Sequence, residues 1–223
     1  MAPHKRWLTA SAVSAVAVYA ILWTGLALQW DWLSTLDSAA LQMSYERGES
    51  RPDWVQAWDV FCTVLGPGAL RLFTIVLIVV ALVRRKARIA MFLLVSVVLA
   101  GLVTEAAKAA ADRPRPATAF VSALGTAFPS GHALGVLVAV LALLTVGLPT
   151  VRPSLRGWLV ALGAAVVVLI GVGRVVLNVH HPSDVLAGWA LGYAYFVLCL
   201  LTVPPLTRLR EADETPAAPG IAP

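Results

Sequence analysis

The chain has 223 residues, 59% hydrophobic and only 13% charged, with a mean hydropathy of +0.81. A soluble domain of this length cannot bury that much apolar surface, so the composition points to one all-α, polytopic membrane domain. The net charge of +5 sits mainly beside apolar spans and forms no aromatic-interleaved basic patch, which argues against a nucleic-acid partner.

Six spans are predicted. Lys5 and Arg6 precede an apolar stretch from Trp7 to Leu28, longer than the roughly 7–15 residues of a signal-peptide core, so it reads as an uncleaved first span. Trp30 and Trp32 then fit an interfacial aromatic belt. Residues 31–66 form a first outer segment rich in acids (Asp31, Asp37, Glu46, Glu49, Asp53, Asp59). Its apolar residues recur at helical spacing, as in short helices lying on the membrane surface. This segment reads as an amphipathic connector, with a substrate-entry lid as the alternative.

Gly66-Pro67-Gly68 breaks the pattern, and Ala69–Val83 is the second span. Arg71, near its outer end, is expected to snorkel to headgroups. Arg84-Arg85-Lys86-Ala87-Arg88 is a strong cytoplasmic signal. The third span, Ile89–Ala111, carries Glu105 and Lys108 on one helix face. A lysine at the bilayer centre costs roughly 2.5–3.5 kcal/mol, so Lys108 belongs at the outer end, pointing into the bundle. Glu105 reads as its local ion pair.

The second outer loop, 112–131, contains Arg113-Pro114-Arg115-Pro116, whose prolines forbid a helix and produce a rigid strap. Pro129-Ser130-Gly131-His132 opens the fourth span, His132–Leu148. Free N–H groups at that helix start suit an anion. Pro149–Arg156 lies inside, and the fifth span, Gly157–Val176, carries Arg174 near its outer end. His180 follows, then Pro182-Ser183-Asp184, a turn into a helix in which Asp184 can serve as N-cap. His181 reads as interfacial. The sixth span, Val185–Val203, has Gly188 and Gly192 four apart, a helix-packing face. Residues 1–203 thus form the membrane domain, and 204–223 read as a disordered cytoplasmic tail.

Six spans put both termini in the cytoplasm, with Lys5, Arg6, the 84–88 cluster, Arg152, Arg156, Arg208 and Arg210 inside. The polar islands within 104–184 then all fall on the outer face. Cys62 and Cys199 stand in apolar surroundings and have no metal-ligand spacing, so no metal or cofactor is expected.

Those islands are Lys108 to Pro116, Pro129 to His132, and Gly173-Arg174 through His180 to Asp184. Three cations, two histidines and a carboxylate suit a phosphomonoester, which carries about −1.5 to −2 charge at pH 7. The pattern resembles the signature of the type-2 phosphatidic acid phosphatase family, K-x6-R-P, then P-S-G-H, then S-R-x5-H-x3-D. This chain departs from it only in having Gly173 where the family usually has Ser. The resemblance covers roughly residues 60–203.

It implies a lipid phosphatase of a bacterial cell membrane, acting at the outer face without a metal. His180 would be the nucleophile, Asp184 its orienting carboxylate and His132 the general acid. Lys108, Arg115, Arg174 and the Ser130-Gly131 backbone would hold the phosphate. Polyprenyl diphosphate, phosphatidic acid and phosphatidylglycerol phosphate are the candidate substrates. A phosphotransferase using the same histidine, or a non-enzymatic lipid or anion transporter, are the alternatives.

Overall fold

A computed structural model describes residues 3–205, with side chains from Lys5 onward. The proposed tail beyond Pro205 lies outside the described residues. The described chain is all-helical. The helices are α1 (Pro3–Ala27), α2 (Asp31–Glu49), α3 (Pro52–Val64), α4 (Pro67–Val83), α5 (Ala87–Leu93), α6 (Ala100–Ala111), α7 (Gly131–Gly147), α8 (Pro153–Val176) and α9 (Pro182–Thr202). Six stretches are long and apolar enough to cross a membrane, as the hydropathy predicts.

Helix α7 lies at the centre and packs against α4, α6, α8 and α9, while α1 packs along α9. The α7–α9 contact depends on small residues. A Cβ at Gly188 would sit 2.6 Å from the Ser130 carbonyl oxygen, and one at Gly192 would sit 3.2 Å from the Leu134 Cα. The predicted glycine face therefore lets two backbones approach closely, and it brings the N-termini of α7 and α9 together. Phe92, Leu93, Leu134, Val138, Phe196 and Val197 form the core below that junction.

The second span differs from its prediction. Only Leu65 and Gly66 separate α3 from α4, and Pro52–Val83 together form one 32-residue apolar stretch. Trp58 and Cys62 of α3 face α8 at Gly173, so α3 is a packed wall of the bundle. Arg71 is also drawn inward: its guanidinium lies across Gly101 of α6, where a Cβ would sit 3.2 Å from Nη2. Between α5 and α6 the helix widens into a π-turn at Leu94–Val98, and the Val95 carbonyl accepts a hydrogen bond from the Tyr195 hydroxyl. Such a turn leaves no hydropathy signal.

Helix α2 is docked onto the loops that join α6 to α7 and α8 to α9. Leu33, Asp37 and Leu41 are buried, Tyr45 stacks on Phe120 with ring centroids 5.5 Å apart, and the Leu41 carbonyl accepts from Asn178 Nδ2. The amphipathic connector is thus fastened to the α6–α7 and α8–α9 loops.

Candidate active site

Every residue singled out by the islands lies at one end of the bundle, on α6, α7, α8, α9 and the α6–α7 and α8–α9 loops. The third island is built by a tight exit from α8. The N–H groups of Val179 and His180 both donate to the Arg174 carbonyl, at 3.2 and 3.3 Å. Asn178 adopts a left-handed conformation with φ of 56°, which asparagine tolerates better than most residues. Its side chain is held between Thr118 and the Leu41 carbonyl. The turn folds His180 back over Arg174, and the His180 side chain is almost fully buried.

Arg115 reaches His180 from the strap. Its Nε donates to the Gly125 carbonyl at 3.0 Å, Nη2 to the Leu124 carbonyl at 2.8 Å and Nη1 to the Val179 carbonyl at 2.8 Å. Nη1 also lies 3.2 Å from His180 Nε2. A guanidinium only donates, so Nε2 must accept and the ring proton belongs on Nδ1. Nδ1 faces Asp184 Oδ2 at 3.5 Å and has no hydrogen-bond partner. The contact is too long for a formed hydrogen bond and is aimed correctly for one. Burial pushes the His180 imidazole down to about 4, against the opposing pull of Asp184. It is therefore neutral, with its Nε2 lone pair beside a cation. Burial likewise lowers the Arg115 pKa from its ordinary value.

The other cations surround this pair. Lys108 is 9% exposed at the end of α6, with Glu105 3.7 Å away on the same face. Its Nζ borders Gly125, whose φ of 69° needs a glycine. Arg174 is 5% exposed, and its buried Nε has no partner among the described residues. A buried orphan donor is rare, and a bound anion would accept its hydrogen bond. His132 stands half-buried on the first turn of α7, near enough to Lys108, Arg115, Arg174 and His180 to interact with them electrostatically.

Ser130 is used differently from the expectation. Its hydroxyl caps α7 by accepting from the Ala133 N–H at 3.5 Å, and its own N–H donates to the Asp184 carbonyl at 2.9 Å. The N–H is thereby occupied within the protein, while the hydroxyl keeps its own proton to donate. The N–H groups at the start of α7 that stay available for an anion belong to Gly131 and His132, which have no intrahelical acceptor.

Asp184 is the third residue of α9 rather than its N-cap, and forms a capping box with His181. Its Oδ2 accepts from the His181 N–H at 2.8 Å and lies 3.1 Å from His181 Nδ1. Sequence reasoning placed His181 at the interface; it in fact shares the carboxylate with His180. The family pattern counts Arg115 of the strap and not Arg113, yet Arg113 Nη1 donates to Asp184 Oδ1 at 2.6 Å. Its Nη2 pairs at 2.8 Å with Asp37, an acid of α2 that is 2% exposed. Neither residue belongs to the signature. The one early hint was the proline pair that makes the strap rigid. Among the described residues no group of three or more His, Cys, Asp or Glu side chains is arranged to hold a metal ion.

Comparison with known proteins gives the fold and the family. A solved structure, the first transmembrane PAP2 type phosphatidylglycerolphosphate phosphatase from Bacillus subtilis, superposes with a TM-score of 0.73 at 23% identity, covering 85% of this chain and 94% of that one. That likeness establishes the fold. An undecaprenyl-diphosphatase of Sulfolobus acidocaldarius is 38% identical over 65 residues, which span 29% of this chain and 28% of that protein. The model of the PAP2 superfamily matches residues 89–208, more than half of the sequence and all three islands, and the chain belongs to that superfamily.

Proposed function

We propose that the protein is a membrane-embedded lipid phosphatase that hydrolyses a lipid phosphomonoester or diphosphate through a phosphohistidine at His180. The observation that carries this reading is the neutral, buried His180, with Nε2 beside Arg115 and Nδ1 aimed at Asp184. Binding alone has no use for a nucleophile so arranged, which weighs against a transporter.

In the first step the Nε2 lone pair forms a bond to phosphorus as the bond to the leaving oxygen breaks. His132 delivers a proton to that oxygen. The His180 ring becomes cationic, and its Nδ1–H contact with Asp184 shortens and strengthens as charge develops. In the second step water, losing a proton to His132, attacks phosphorus. The P–N bond breaks, releasing inorganic phosphate and restoring neutral His180. Lys108, Arg174, the remaining N–H groups of Arg115, and the Gly131 and His132 N–H groups hold the non-bridging oxygens throughout. Arg115 spends three donors on loop carbonyls, so its share of the phosphate is at most two N–H groups.

The flanking positive charges favour cytoplasmic termini and a site at the extracytoplasmic face of the cell membrane. A substrate headgroup would then reach the site with its tails still in lipid. The two relatives act, by their names, on undecaprenyl diphosphate and phosphatidylglycerol phosphate, and these are the first substrates to try. Phosphate release by the detergent-purified protein is the test. The panel is polyprenyl diphosphate, phosphatidylglycerol phosphate, phosphatidic acid and a soluble phosphomonoester, each with wild type and His180→Ala. Release from a lipid that His180→Ala abolishes supports the proposal. A folded wild type that releases phosphate from none of them refutes hydrolysis and favours phosphotransfer.

A further inference from the structure

The buried carboxylate of Asp184 does not orient the nucleophile alone. Arg113 Nη1 donates to its Oδ1 at 2.6 Å and to the Ser183 hydroxyl at 2.8 Å, while Nη2 donates to Asp37 Oδ2 at 2.8 Å. Asp37 closes the network from α2, its Oδ1 accepting from the Ser183 N–H at 3.0 Å and its Oδ2 from the Ser183 hydroxyl. The Asp37 and Asp184 side chains are 3% and 0% exposed, and that of Arg113 is 13% exposed.

We infer that Asp37 and Arg113 are positioning residues for the reaction, Asp37 acting on Asp184 through Arg113. The inference rests on the phosphohistidine reading of His180. A planar guanidinium gripped at both ends fixes the plane of the Asp184 carboxylate. That plane decides whether Oδ2 faces His180 Nδ1. Without Asp37, Nη2 is free, and the guanidinium can swing into a two-pronged pair with Asp184, turning Oδ2 away from His180. Without Arg113, two buried carboxylates face each other across Ser183, which is the costlier defect. An outer-segment helix far from the motifs in sequence is thereby made part of the catalytic apparatus.

The test uses the full chain in detergent, with Asp37→Asn, Arg113→Gln and the double variant. Leu36→Ala, at an exposed position of α2 that leaves its docking and its charges alone, is the control. Outer-shell partners are typically worth 10–100-fold in activity, so Asp37→Asn should lower kcat by about tenfold and Arg113→Gln by about 100-fold, with KM little changed. Leu36→Ala should leave kcat near wild type. The double variant should be slower than Arg113→Gln by much less than the roughly tenfold of Asp37→Asn alone, because only the Ser183 hydrogen bonds then link Asp37 to the start of α9. Independent, multiplicative losses, or a loss in Leu36→Ala equal to that in Asp37→Asn, overturn the inference.

A second readout needs no turnover. The ring-15N spectrum of histidine-labelled protein should show His180 with its proton on Nδ1 in the wild type, and a changed Nδ1 signal in both single variants. An unchanged signal in folded Asp37→Asn also overturns the inference. Failure of the wild type to release phosphate counts against the hydrolase reading alone, since the ring spectrum still decides the positioning.

Discussion

Restoring the family's serine at position 173 should harm this protein. Gly173 is buried on α8, and a Cβ there would lie 2.6 Å from Cys62 Sγ, 2.8 Å from Trp58 Cε3 and 3.2 Å from Trp58 Cζ3. The first two distances are shorter than real Cβ contacts allow, and the Trp58 ring is braced edge-on by Trp54 and Phe61. Gly173→Ser must therefore push α3 away from α8. Overpacking of this kind costs about 1–3 kcal/mol. For a chain of this size each kcal/mol is worth about 2–4 °C in melting temperature, so a loss of several degrees is expected from thermal unfolding in detergent. Because α8 carries Arg174 and the exit turn to His180, phosphate release should fall as well. Cys62→Ala removes the nearest obstacle and should return part of the lost stability to Gly173→Ser, leaving the Trp58 contact unrelieved. A Gly173→Ser protein that melts at or above the wild-type temperature with undiminished activity would refute the idea that α3 occupies the serine's place.

Lys108→Ala should lower kcat/KM by about 10²–10³-fold, the usual cost of removing one fixed donor to transition-state charge. The exposed Glu105 at 3.7 Å is a surface-type pair worth at most about 1 kcal/mol, so Glu105→Gln should change kcat/KM only a few-fold; equal losses in the two variants would contradict these roles. Burial holds His180 at about 4 in the folded protein, so the acid limb of kcat/KM, corrected for ionisation of the substrate phosphate, should lie well below the ordinary histidine value of about 6.5. A limb at the ordinary value would show the ring to be solvated. The same depression makes the His180 contribution to stability complete above the unfolded value and lost as pH falls through the folded one, which thermal unfolding of wild type against His180→Gln can follow. Gly188→Ala would place a Cβ 2.6 Å from the Ser130 carbonyl oxygen, separating the two helix starts that carry His132 and Asp184; it should cost stability by about 1–3 kcal/mol and activity more than tenfold, and a silent substitution would contradict the close approach.

The spans were legible because about 20 apolar residues in a row have few other uses. The islands were legible for the converse reason: Lys108, Arg115, His132, Arg174, His180 and Asp184 are costly where they stand unless they share a task. Gly188 and Gly192 marked a close helix-packing face, and the structure shows that its partner is α7. Asp37 could not be found this way. It is one acid among several on a polar segment, and its burial is decided by Arg113, 76 positions away. His181 was obscured by its neighbour, since two adjacent histidines give no sign that one carboxylate serves both. The placement of α3 was missed because Trp54, Trp58 and Phe61 make an amphipathic pattern that fits a membrane surface as well as a helix wall. Only the short Leu65-Gly66 break, continuing into α4, separates the two.

The central claim is that His180 carries the phosphoryl group between two displacements. The most direct measurement is rapid acid-free quenching of the protein with a 32P-labelled lipid phosphate, followed by peptide mapping of the label. Label is predicted on His180, stable in alkali and labile in acid, formed and lost fast enough to account for turnover, and absent in His180→Ala. Steady release of phosphate by the wild type with no label ever reaching His180 would contradict it.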